Sequence, residues 1–180
     1  MSQTVKIHDL VFEPYIENSL IQKRIAEIAA ALEKEYSGKR PIFLAILNGS
    51  FVFAADLARA CNFEHEVSFI KLTSYEGTTS TGKVTTQIGL QEDLTDRAVI
   101  IIEDIIDTGT TIYTFLPTLK KLKPKSIAVV SLLSKPSALK YPLSIDHIGF
   151  DIPNKFVVGY GLDYNGLGRN LKDIYQLKES

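Results

Sequence analysis

The chain has 180 residues, a length that fits one domain able to bury a sizeable core without staples. Its 45% hydrophobic and 23% charged residues have the balance of a soluble globular protein, and a formal net charge of −1 argues against a broad electrostatic nucleic-acid surface. Cys61 is the only cysteine, so an intrachain disulfide and a multi-cysteine metal site are excluded, and a lone cysteine fits a reducing cytoplasm. The opening MSQTVKIHDL has no apolar signal core, and no apolar run reaches the ~18 residues of a membrane span.

There are no internal repeats and no linker, so residues 1–180 are read as a single domain. From Glu17 to Tyr36, the residues Leu20, Ile21, Ile25, Ile28, Ala29 and Leu32 follow helical spacing, and Gly38 is a natural stop. The run PIFLAIL, Pro41 to Leu47, has the length of a buried strand. It leads into the turn Asn48-Gly49-Ser50 and an apolar helix from about Phe51 to Cys61. Glu66 to Leu72 alternates as a strand should, and Tyr75 to Lys83 (YEGTTSTGK) is a polar, glycine-rich loop.

Arg97 to Asp104 (RAVIIIED) is a second buried strand. A Gly/Thr turn and a helix from about Thr110 to Lys123 follow, with Pro117 as a kink or restart. Ser126 to Lys135 is a third buried strand, and from Ile145 the tail is irregular, with FVVGYGLDY as a strand pair and turn. Strands apolar on both faces and alternating with helices predict an α/β fold with a mainly parallel sheet covered on both sides. Ligands in such sheets bind at the carboxyl ends of the strands, where Asn48-Gly49-Ser50, Glu103 to Thr111 and Lys135 fall.

The informative segment is VIIIEDIIDTGTT, Val99 to Thr111. A hydrophobic strand delivers Glu103 and Asp104 to its end, where adjacent carboxylates repel unless a divalent metal or a polyhydroxyl ligand satisfies both. Asp107-Thr108-Gly109-Thr110-Thr111 then turns into a helix. Gly109 lets a ligand approach the backbone, the threonines offer hydroxyls, and helix N-terminal amides bind phosphate. The plainer alternative is an ordinary N-cap. A receiver-domain acidic pair is disfavoured, because this pair is mid-chain and runs straight into a phosphate-type loop.

The segment resembles the phosphoribosyl-pyrophosphate signature of type I phosphoribosyltransferases. The resemblance implies that Glu103 and Asp104 bind the ribose hydroxyls, directly or through Mg²⁺, and that Asp107 to Thr111 bind the 5′-phosphate. Further on, S-L-L-S-K ends a strand with Lys135, and DIPNKFVVGYGLDYNGLGRN (Asp151 to Asn170) is similar to the hood of hypoxanthine-guanine phosphoribosyltransferases, here expected largely from about 136–180. The resemblance runs from about Val11 to Tyr175. It implies that Lys135 donates to the purine O6, Phe156 stacks on the base and the Val157 backbone meets the purine edge. It also implies that Asp163 helps hold Mg²⁺, Arg169 binds pyrophosphate and Asp107 is the general base at N7.

Leu47 to Ser50 stands where that family has its pyrophosphate loop, using Asn48 and Gly49, with a cis peptide expected between Leu47 and Asn48. Many relatives carry Lys or Arg at the position of Asn48, which implies weaker pyrophosphate affinity. Ser74-Tyr75 resembles the start of a mobile catalytic loop. His8, His65 and His147 share no metal spacing.

The implied activity is purine salvage: transfer of the phosphoribosyl group to hypoxanthine or guanine, giving IMP or GMP and pyrophosphate, by a cytoplasmic homodimer or homotetramer with no nucleic-acid or membrane partner. The competing reading is a non-catalytic regulator of the same fold that senses phosphoribosyl pyrophosphate. Lys135 and the FVVGY segment argue against an adenine or pyrimidine enzyme.

Overall fold

The apolar runs of the sequence become the strands of one large sheet. The computed structural model describes residues 3–74, 84–88 and 92–179. In chain order these form β1 (Val5–Ile7), β2 (Leu10–Ile16), α1 (Asn18–Tyr36), β3 (Ile42–Leu47), α2 (Phe51–Ala60), β4 (Glu66–Ser74), β5 (Val84–Ile88) and β6 (Ala98–Ile106). Then come α3 (Thr110–Lys121), β7 (Ser126–Ser134), a 3₁₀ turn (Pro136–Ala138), β8 (His147–Asp151), β9 (Val157–Val158) and β10 (Ile174–Leu177).

The large sheet has the order β5-β4-β3-β6-β7-β8. Its strands are parallel except β5, which pairs antiparallel with β4 at the edge. Both faces are covered, as continuous apolar strands require. Phe43, Ala45, Ile100, Ile102 and Val130 pack under α1 and α2, while Ile42, Leu44, Val99, Ile101 and Val129 pack under α3. α1 buries Ile21, Ile25, Ile28, Ala29, Leu32 and Tyr36. Leu20, expected on that stripe, is 53% exposed, because it falls beside the i, i+4, i+7 face rather than on it.

Three elements depart from the sequence reading. β6 runs two residues past Asp104, since β7 is long enough to continue the ladder through Ile106↔Ser134. α3 passes through Pro117 without interruption. His147–Asp151, read as irregular, is the parallel edge strand β8.

A second sheet, order β1-β2-β10-β9, forms a small hood. The reading placed the hood largely at 136–180. Half of its strands come from residues 5–16, and β8 lies in the large sheet instead.

Candidate active site

The carboxyl ends of β3, β6 and β7 point at the hood, and a cavity of about 350 Å³ lies between them. At the end of β3 the Leu47–Asn48 peptide is cis, as expected. Asn48 and Gly49 line the cavity, and the buried Ser50 hydroxyl donates back to the Ile46 carbonyl before α2 begins. Gly49 has a steric reason to be glycine. A Cβ there would overlap the Asp104 carboxylate, so only glycine lets the loop lie directly against that acid.

Glu103 and Asp104 both face this cavity. Burial pushes the Asp104 carboxyl up to about 6, against the pull of its own and the Ile105 backbone amides and of nearby Arg169. Burial and the Asp104 charge push Glu103 well above the usual carboxylate range. Glu103 Oε2 is enclosed with no hydrogen-bond partner. Two destabilised acids with an orphaned oxygen are a place for a cation or a sugar diol.

Asp107, Thr108, Gly109, Thr110 and Thr111 line an adjoining recess that shares Glu103 and Asp107 with the main cavity. Gly109, at φ 75°, is the N-cap of α3, and no side chain caps the helix or places an acid in its first turn. The ordinary N-cap reading is therefore not what the chain does. The Thr110 amide leans on the Thr108 hydroxyl at 3.4 Å, and the positive N-terminal end of α3 lies at the recess, where an anion would be favoured.

Lys135, at the end of β7, is 6% exposed and donates to Asp107 Oδ2 at 2.9 Å. Sequence reasoning gave these two residues separate tasks and missed their pairing. The bond puts one anion and one cation side by side at the cavity floor.

The hood supplies the opposite wall. Phe156 is 41% exposed and is held from behind by Phe12 at 6.0 Å and Tyr164 at 5.7 Å between ring centroids. Val157 is fixed by β9–β10 pairing with Gln176. Asp163 pairs with Arg169 at 2.6 Å and accepts from the Gly166 amide, while Arg169 Nη1 donates to the Gly161 carbonyl at 2.7 Å. Ile46, Ile105 and Leu162, which also line the cavity, had no signal distinguishing them from core. Ser74 ends β4, while its side chain and Tyr75 lie outside the described residues.

Among the described residues, no group of three or more His, Cys, Asp or Glu side chains could hold a metal ion alone. No helix of those residues is long and apolar enough to cross a membrane.

The family model described as a phosphoribosyl transferase domain matches residues 14–165. The hypoxanthine-guanine-xanthine phosphoribosyltransferase of Tritrichomonas foetus is 40% identical over 100% of this chain and 98% of its own. The hypoxanthine phosphoribosyltransferase of Escherichia coli K12 is 40% identical over 90% of this chain and 93% of its own. A crystal structure of a hypoxanthine phosphoribosyltransferase from Staphylococcus aureus superposes with a TM-score of 0.88 at 39% identity, covering 92% and 91% of the two chains. Matched by the family model over residues 14–165 and by these relatives along nearly its whole length, the chain belongs to the phosphoribosyltransferase family, among its hypoxanthine-guanine members.

Proposed function

We propose that the protein joins hypoxanthine or guanine to the 5-phosphoribosyl group of phosphoribosyl pyrophosphate, releasing IMP or GMP and pyrophosphate. The carrying observation is the Lys135–Asp107 pair beside the exposed face of Phe156. A 6-oxopurine presents O6 and N7 along one edge. A lysine donor and a carboxylate acceptor side by side match that edge, whereas the amino group of adenine would face an ammonium.

Each group then has a task. Phe156 stacks on the base and the Val157 backbone meets its edge. Lys135 donates to O6, and Asp107 accepts the N7 proton as N9 attacks C1 of the sugar. General-base help of this kind is worth roughly 10²–10⁴-fold. Thr108 to Thr111 and Gly109 hold the 5′-phosphate through the first turn of α3, and Glu103 and Asp104 hold the ribose hydroxyls. Asn48, Gly49 and Arg169 receive the departing pyrophosphate and offset its charge. The task of keeping water from the oxocarbenium-like sugar carbon is assigned in this proposal to Ser74 and Tyr75.

A divalent cation, Mg²⁺ in this proposal, fits the donors. Glu103 and Asp104 are destabilised as bare acids, and Mg²⁺ is ordinarily held by one or two carboxylates plus substrate oxygens. Asp163 is the carboxylate available on the pyrophosphate side, sharing its charge with Arg169. The ion supplies charge neutralisation of the leaving pyrophosphate.

A cytoplasmic setting and a homodimer or homotetramer belong to the same proposal. Exposed Val67 and Phe69 support assembly: they continue the sheet face beside Phe43 and Ala45, and exposed Phe51 starts the neighbouring α2. Nothing observed favours a non-catalytic regulator, and every relative named above is a transferase.

The test is a spectrophotometric assay with phosphoribosyl pyrophosphate, Mg²⁺ and each of hypoxanthine, guanine, xanthine and adenine. Turnover of a 6-oxopurine and not of adenine is expected. Asp107→Asn should lower turnover by roughly 10²-fold or more while phosphoribosyl pyrophosphate still binds. Unchanged turnover in that variant removes Asp107 from the mechanism, and adenine as the preferred base removes the substrate assignment.

A further inference from the structure

Three successive residues of the hood, Gly159, Tyr160 and Gly161, have φ of 97°, 51° and 101°. For tyrosine this left-handed backbone is unfavourable and needs surrounding support. The turn it makes touches the pyrophosphate side twice. A Cβ at Gly161 would overlap the Gly49 carbonyl oxygen, so the two backbones are in direct contact there. The Gly161 carbonyl accepts from Arg169 Nη1, and the Gly161 amide donates to the Arg169 carbonyl at 3.0 Å.

The Tyr160 side chain, 2% exposed, packs in the core cluster with residues of α1 and α2. Its hydroxyl donates to Asp56 Oδ2 at 2.5 Å. Gln22 Nε2 donates to the Tyr160 oxygen at 3.1 Å and to Asp56 Oδ2 at 2.9 Å. Asp56 belongs to α2, the helix that starts directly from the Asn48–Ser50 turn, with Ala54 N–H donating to the Ser50 carbonyl at 2.8 Å. The turn and the loop that meet at Gly161 and Gly49 are thus tied a second time through α2.

The purine side has separate support. Val157 is paired with Gln176, the Leu177 amide donates to the Phe156 carbonyl at 2.8 Å, and Phe12 and Tyr164 back the Phe156 ring. Loosening Tyr160 therefore leaves the base platform anchored.

We infer that the Tyr160 hydroxyl, held by Asp56 and Gln22, is a positioning group for pyrophosphate: it sets where the Gly49 loop and Arg169 stand relative to each other. This inference rests on the transferase reading in one respect, that the Gly49 loop and Arg169 receive pyrophosphate. A tyrosine that only filled the core would instead show up in stability alone.

The experiment measures steady-state constants in both directions for wild type, Tyr160→Phe, Asp56→Ala and the double variant, with melting temperatures. Tyr160→Phe is expected to raise KM for phosphoribosyl pyrophosphate and for pyrophosphate about three- to ten-fold, with hypoxanthine KM and kcat within about two-fold. Asp56→Ala should do the same, the double variant no more than either, and Asp56→Asn, whose amide oxygen still accepts from the phenol, should recover most of the loss. If Tyr160→Phe does not fold, Asp56→Ala reads the same contact from the helix side. A lowered melting temperature with unchanged KM values, or equal rises for pyrophosphate and hypoxanthine, overturns the inference. Calorimetric binding of pyrophosphate to wild type and variants reads the contact without turnover. Absence of transfer by the wild type would then sink the transferase reading and not this one.

Discussion

Asp104 shows how one residue carries opposing demands. It is 8% exposed against Gly49, and burial holds its carboxyl up at about 6 rather than the ordinary 3.8. An acid raised in the folded state costs nothing below its unfolded value. Stability is lost as pH rises between the two values, and the full penalty remains above the folded one. Asp104→Asn should therefore be more stable than the ligand-free wild type near pH 8, by on the order of 2–3 kcal/mol, with no advantage near pH 4. The same variant should lose transfer. Urea unfolding at the two pH values checks the sign, and an advantage that persists at the acid end refutes it. The acidic pair was legible in the sequence because two carboxylates after an apolar strand need a partner. The Lys135–Asp107 bond was not, because a contact between two strand ends depends on their register, which the residues alone do not state.

At the scale of elements, periodicity did most of the work and failed where a neighbour decides. β6 outran its expected end because β7 offered partners as far as Ser134. β8 was missed because HIGFD is short and half-exposed, and its edge position comes from pairing with β7. α3 kept its course through Pro117, whose ring sits on the exposed side and leaves the Tyr113 carbonyl without a donor four residues on. Pro117→Ala restores that donor, offset partly by a freer unfolded chain, and should stabilise by about 1–3 kcal/mol. The expected reading is a higher urea midpoint with unchanged slope and unchanged turnover. A lower midpoint would mean the helix is built around the proline. The recess at the other end of α3 was readable because Gly109 and the threonines announce it, although only coordinates reveal that no side chain caps the helix.

For the molecule as a whole, the parallel sheet followed from three two-faced apolar strands, while the hood did not follow from any local signal in residues 5–16. What covers Val67 and Phe69 is likewise a whole-molecule question. Both are more than 40% exposed next to fully buried Phe43 and Ala45, and isolated proteins seldom leave such a face open. Sedimentation equilibrium should give a dimer or tetramer, and Phe69→Glu should shift it towards monomer. A monomeric wild type would refute the assembly.

The weaving of the hood also sets an order of events during synthesis. β2 emerges early, yet its neighbour β10 is made last, and the Gln176–Glu13 side-chain bond that joins them spans 163 residues. The large sheet can gather its strands as they appear. β2 must wait with one edge unpaired, the kind of edge that invites pairing with another chain. The wall around Phe156, backed by Phe12 from β2, is therefore the last part of the site to form. A growing chain can complete the recess at the start of α3 before the wall that faces it exists.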